Sequence, residues 1–208
     1  MSLDQNLIIS NIISSVNYII ELFQENPFNF LYESEIQAVL YSKLNADANK
    51  KIELPVEMEE SLKEIGKDSI TTNIVRAEYP SGKRFDIAII HPDSKRHRGK
   101  GDLNEAFWNE NILGAIELKY CQLHQGHFVQ LMGFKDNLKK LEEFKNPESR
   151  FELKIGLALL FVQERQISEY YVEKAGLELV EITQIEQISV IEGYIITKDK
   201  KYKVTKRK

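Results

Sequence analysis

The sequence has little of several things, and each shortage excludes a class of protein. It carries one cysteine, Cys121, one tryptophan and five prolines in 208 residues. A single thiol closes no internal disulfide, so this is not a small scaffold held together by disulfide bridges. No uninterrupted apolar run reaches the roughly 18 residues that a membrane-spanning helix needs. The opening stretch MSLDQNLIISNIISSV lacks the basic region and small-residue cleavage site of a signal peptide. Together these shortages set the expectation of a soluble, cytoplasmic protein. There is no internal repeat and no low-complexity linker. Net basic charge is missing too, since 28 Lys and Arg face 32 Asp and Glu, a formal −4.

What is present is an ordinary globular mixture, 42% hydrophobic and 29% charged, of a length that suits a single domain over 1–208. The charges are unevenly spread. Basic residues gather in the stretch HPDSKRHRGKGD (91–102), with Lys95, Arg96, Arg98 and Lys100, and in the tail from Lys198 to Lys208. Acids concentrate at 53–64 and 142–186. An acidic protein receives a polyanion when such a basic patch lies beside its site. The lysine-rich tail taken alone reads more simply as a solvated terminus.

Periodicity predicts the order of elements. Apolar positions at helical spacing mark a helix over 6–24, stopped at Asn26-Pro27, and a second in YESEIQAVLYSKL with Ile36, Val39, Leu40 and Leu44 on one face. Residues 45–70 are polar, with at most a short helix. From 72 the period falls to two: TNIVRAEY, the turn Pro80-Ser81-Gly82-Lys83, and KRFDIAIIH. A long charged connection, with a short helical piece at LNEAFW, leads to the strand LGAIELKYC. A helix over 123–145 follows, its core face marked by Leu131, Phe134, Leu138 and Leu141. KIGLALLFV reads as a strand buried on both faces. ISEYYVEKAG is helical and stops at Gly176; LELVEIT and a hairpin of EGYIIT and KYKVTK close the chain. The expected architecture is α/β, one mixed central sheet flanked by helices.

Charges inside apolar strands are the informative exceptions, because burying one costs several kcal/mol, on the order of 3 or more, unless it is compensated. Asp86 sits inside RFDIAII; Glu117 and Lys119 sit inside AIELKY. Two apart on a strand, Glu117 and Lys119 project from one face, and pairing with the preceding strand brings Asp86 beside them. Two carboxylates and an ammonium at one place suit a hard cation. The competing reading is a plain salt bridge between Lys119 and one carboxylate.

In that order and context the residues resemble the PD-(D/E)XK nuclease superfamily, the restriction-endonuclease-like fold, whose core runs α-β-β-β-α-β. Glu117-Leu118-Lys119 matches the E-x-K, Asp86 the isolated metal-binding aspartate, and YESEIQAVL (32–40) the first core helix with its glutamate at Glu33; Glu35 is the competitor. Gln130-Leu131-Met132-Gly133-Phe134 is similar to the Q-x-x-x-Y motif of the RecB-like branch, with Phe134 in place of the tyrosine, and Arg84-Phe85 stands where a proline would precede the aspartate. The resemblance covers about 28–165, leaving the helix 6–24 and the strands 177–208, with their hairpin, as additions.

The resemblance implies a nuclease that hydrolyses phosphodiester bonds in DNA or RNA with Mg²⁺ or Mn²⁺. Asp86, Glu117 and the Leu118 carbonyl would be its metal ligands. Lys119, Glu33 and Gln130 would complete the catalytic set, and Arg84, Lys95, Arg96, Arg98 and Lys100 would meet the nucleic acid. DNA is the first partner implied, and a homodimer is compatible with it. A silent member of the same fold, binding nucleic acid or protein, is the alternative. His124 and His127, three apart, lack a third ligand and read as exposed histidines; Cys121 reads as a small buried side chain and Trp108 as a lid or core anchor.

Overall fold

The computed structural model describes residues 5–48, 51–55, 69–79, 84–91, 112–123, 125–144 and 153–206. Helix α1 (Gln5–Glu25) has the length and an 18-residue mean hydropathy of 1.3 that would suit a membrane span. Its apolar stripe is nevertheless engaged within the protein: Ile8, Ile12, Val16, Ile19, Ile20 and Phe23 are all buried. A short 3₁₀ turn, Pro27–Asn29, is capped by the Asn26 side chain, which accepts from the Phe28 amide. Helix α2 (Glu33–Ala48) buries Ile36, Leu40 and Leu44. It is pinned to α1 where Ser15 donates to Asp47 at 2.9 Å.

Two sheets follow. A two-stranded antiparallel sheet joins β1 (Lys51–Pro55) to β2 (Ser69–Asn73). The main sheet has seven strands: β3 (Val75–Tyr79), β4 (Phe85–Ile90), β5 (Ile112–Cys121), β6 (Ile155–Val162), β7 (Leu177–Ile182), β8 (Ile191–Thr197) and β9 (Lys201–Lys206). Their spatial order is β3-β4-β5-β6-β8-β9-β7. Pairing is parallel for β5–β6 and β6–β8 and antiparallel elsewhere, so the sheet is mixed. Every residue of β6 is buried, as a central strand covered on both faces requires.

Strand alternation assigns the faces. Phe23 of α1 packs edge-on to Tyr120 and Phe161, at ring separations of 6.4 and 5.1 Å. On the opposite face lies α3 (His127–Glu143), which buries Leu131, Phe134 and Leu141. It approaches so closely that a Cβ on Gly193 would meet Phe134 at 2.8 Å. The short α4 (Glu169–Lys174) ends at Gly176, whose φ of 69° lies in the region glycine tolerates.

The α/β class and the mixed sheet flanked by helices agree with the sequence reading; three details do not. The strand expected over 72–79 is two strands in two sheets, broken at Ile74. Its side chain is buried and its carbonyl accepts the Ile90 amide at 2.7 Å. The helix expected from 123 begins at His127, because Gln122 and Gln125 close a turn on each other through both backbone and side chain. The stretch 45–70, read as polar with at most a short helix, holds strand β1 at Lys51–Pro55. The expected C-terminal hairpin is present as β8 and β9, and it extends the main sheet, with β8 lying parallel against β6. The expected turn at 80–83, the helical piece at 103–108 and most of the basic stretch 91–102 fall outside the described residues.

Candidate metal centre

Strands β4 and β5 are antiparallel with Ile87 opposite Ile116. The next rung of that register sets Asp86 across from Glu117, on the sheet face that α3 covers. Asp86 Oδ2 accepts the Leu118 amide at 2.5 Å. Glu117, with only 4% of its side chain exposed, accepts from the Lys140 ammonium at 2.5 Å. Burial pushes the Glu117 carboxyl up to about 7; Lys140 opposes the shift and the charge of Asp86 adds to it. Asp86 is raised as well, by burial first, with the Leu118 amide and Lys119 pulling the other way. The two carboxyl groups therefore sense each other in a poorly solvated place.

Lys119 turns to a third acid. Its ammonium lies 3.4 Å from Glu33 Oε1 and 3.5 Å from Oε2, at the first residue of α2. Burial raises Glu33, the Lys119 charge lowers it and Asp86 raises it. Glu35 is committed elsewhere: its Oε2 accepts the Leu31 amide at 2.5 Å and the Tyr32 amide at 3.1 Å, closing the entry to α2. Of the two glutamates, Glu33 is thus the one that reaches the lysine. The stem of Lys119 lies against α3 at Gly133, where a Cβ would stand 3.5 Å from its Cδ.

Four more side chains belong here that the sequence reading did not select. Asn137 donates to the Leu118 carbonyl at 3.2 Å. Lys140 donates to Glu117 and to the Arg84 carbonyl, and lies 5.0 Å from the centre of the Phe85 ring. Gln37 of α2 donates to the Asp86 carbonyl at 2.7 Å and to Glu78 Oε1 at 3.0 Å. Glu78 raises Asp86 through its charge and, at φ 52°, has a positive φ that a glutamate rarely adopts. Helical spacing held the signal for two of these: Gln130, Gly133, Asn137 and Lys140 recur at three and four along one side of α3. Gln130, partly buried, begins that stripe.

The other sequence candidates are placed as follows. Arg84 is exposed, with its carbonyl held by Lys140. Lys95, Arg96, Arg98, Lys100, Trp108 and His124 lie outside the described residues. His127, read from the sequence as exposed, keeps only 10% of its side chain exposed and sits 3.3 Å from Glu164. Cys121 is buried, and burial pushes its thiol up to about 11, far from the thiolate that a nucleophile needs.

The donor set fits a hard divalent cation in kind. Asp86 and Glu117 would supply carboxylate oxygens and Leu118 a backbone carbonyl, and Mg²⁺ keeps several waters, so one or two carboxylates suffice. Among the described residues no group of three or more His, Cys, Asp or Glu side chains stands ready to enclose an ion. No protein-family model, curated protein or solved structure matches the chain.

Proposed function

We propose that this chain is a metal-dependent phosphodiesterase acting on nucleic acid, DNA first, built on a restriction-endonuclease-like core of α2, β3, β4, β5, α3 and β6. The observation that carries the reading is that Asp86 and the buried Glu117 each stand one residue beyond the paired rung of Ile87 and Ile116, in two otherwise apolar strands, with the charge of Asp86 acting on Glu117 and Lys119 two residues on. The order of these elements, α-β-β-β-α-β, supports it.

A bound Mg²⁺ or Mn²⁺ would polarise the phosphoryl oxygen and lower the pKa of a coordinated water. Asp86, Glu117 and the Leu118 carbonyl would hold it. Lys119 would orient the attacking water and neutralise charge on the phosphoryl oxygens, as a preorganised donor does. Glu33 positions that lysine through the contact at 3.4 Å. Asn137 orients the Leu118 peptide, and Gln130 would meet the substrate backbone. Arg84 and the basic residues Lys95, Arg96, Arg98 and Lys100 would draw phosphates toward the site.

One observation favours a second reading, a silent domain that binds without cleaving. The Lys140–Glu117 contact at 2.5 Å already neutralises the most buried acid, and a lysine–carboxylate pair is a complete structural unit in itself. Plasmid, single-stranded DNA and RNA, each incubated with the purified chain and Mg²⁺ or Mn²⁺, separate the two. Metal-dependent cleavage of any of them supports the enzyme; retention of nucleic acid without cleavage leaves the binding module.

A further inference from the structure

Resting on the metal-centre reading above, we infer that Lys140 is a built-in counter-cation that holds Glu117 in the absence of metal and must leave it when a divalent ion binds. The contact therefore sets how much metal the site requires. Glu117 is 4% exposed, and a carboxylate so placed needs a positive partner. Lys140 provides it at 2.5 Å, and the charge of Asp86 acts on the same carboxyl.

Lys119, the lysine of the E-x-K stretch, does not do this. It is turned to Glu33 at 3.4 Å. The two ammonium groups are thus assigned to different acids, one at the entry of α2 and one on Glu117.

The means of leaving are also present. Lys140 lies near the end of α3 with 26% of its side chain exposed, on a flexible four-carbon stem. Among the described residues it also meets the Arg84 carbonyl and the Phe85 ring, both weaker than an ion pair with a buried acid, and its charge acts on Asp86 as well. A doubly charged ion held by Glu117 would share that carboxylate with an ammonium that kept its place. Like charges so placed repel strongly where water is scarce, so the ammonium moves out and the ion takes its seat.

The test is calorimetric titration of Mn²⁺ into the full chain, as wild type, Lys140→Met, Lys140→Arg and Glu117→Gln. Lys140→Met keeps the stem and removes the charge; it is expected to bind Mn²⁺ at least tenfold more tightly. Lys140→Arg is expected to bind like wild type or more weakly, and Glu117→Gln to lose most binding. Because a variant can fail to fold, the wild type gives a second readout: amine labelling of Lys140, followed by mass spectrometry, should rise severalfold on adding Mn²⁺. Binding by wild type with Lys140→Met equal or weaker, or labelling unchanged or reduced, overturns the inference and leaves the metal centre standing. No Mn²⁺ binding by any of the four proteins overturns both.

Discussion

Lys140 and Glu117 are 23 residues apart, on a helix and a strand, and their charged atoms meet at 2.5 Å, with the ammonium 5.0 Å from the centre of the Phe85 ring. The acid belongs to a strand whose other side chains are almost all buried. That pair links the fold to the chemistry, since the helix that completes the core also delivers the charge that makes the buried acid tolerable.

The first prediction concerns pH. Burial raises the Glu117 carboxyl from 4.5 to about 7, so the folded protein holds that proton more tightly than the unfolded chain. The stability contributed by the protonated form is complete below the unfolded value and is lost as pH rises through the folded one. Asp86 and Glu33, also raised, act in the same direction. The metal-free protein should therefore become less stable between about pH 4.5 and 7, by on the order of 3 kcal/mol from Glu117 alone. Glu117→Gln should flatten that slope. Thermal melts across this range, with and without the substitution, check it; a wild-type slope of the opposite sign would contradict it.

The second prediction separates chemistry from folding at Lys119. Its pair with Glu33 is partly exposed, 30% and 37% by side chain, and such pairs contribute little, about 0–1 kcal/mol. Lys119→Ala should fold with stability within about 1–2 kcal/mol of wild type, while metal-dependent cleavage falls by several orders of magnitude. Glu33→Gln, which loosens the lysine without removing it, should cost less, about tenfold to a hundredfold. Paired melts and cleavage rates read both. Unfolding of Lys119→Ala would make the lysine a structural partner.

Gly193 gives the third. A methyl group there would meet Phe134 at 2.8 Å and Leu138 at 3.0 Å, where α3 sits on β8. Gly193→Ala should destabilise by about 1–3 kcal/mol, the usual cost of overpacking a core. A denaturant midpoint equal to wild type would show that α3 packs less closely than this.

The fourth is at Glu78, whose φ of 52° costs a non-glycine residue about 1 kcal/mol. Glu78→Gly relieves that cost but forfeits the contact with Gln37 at 3.0 Å, so it should be close to neutral. Glu78→Val, branched at Cβ, should lose clearly more than Glu78→Gly. Denaturant melts of the two give the order directly.

Much of the fold was legible because burial writes itself into periodicity. KIGLALLFV announced a strand covered on both faces, and the stripe Leu131, Phe134, Leu141 announced the helix on it. The candidate residues Asp86, Glu117 and Lys119 were legible as charges among apolar neighbours. Lys140 and Asn137 were not, because a lysine or asparagine on a polar helix face looks like solvent-facing decoration until the helix is docked. Glu78 was hidden for another reason: nothing in VRAEY signals a left-handed backbone at its fourth position. The break at Ile74 was equally silent, since both halves carry strand-like residues and only the partners differ.

Cleavage of plasmid DNA by the purified chain in Mg²⁺, set against Asp86→Asn prepared in parallel, tests the central claim most directly. Asp86→Asn keeps the shape of the rung and a carbonyl to accept the Leu118 amide now held at 2.5 Å, but removes one of the two charges that would hold the ion. The expected result is cleavage by wild type that chelation abolishes and that falls at least a hundredfold in Asp86→Asn, with both proteins folded. Equal cleavage by the two proteins, or metal-independent cleavage, would contradict it.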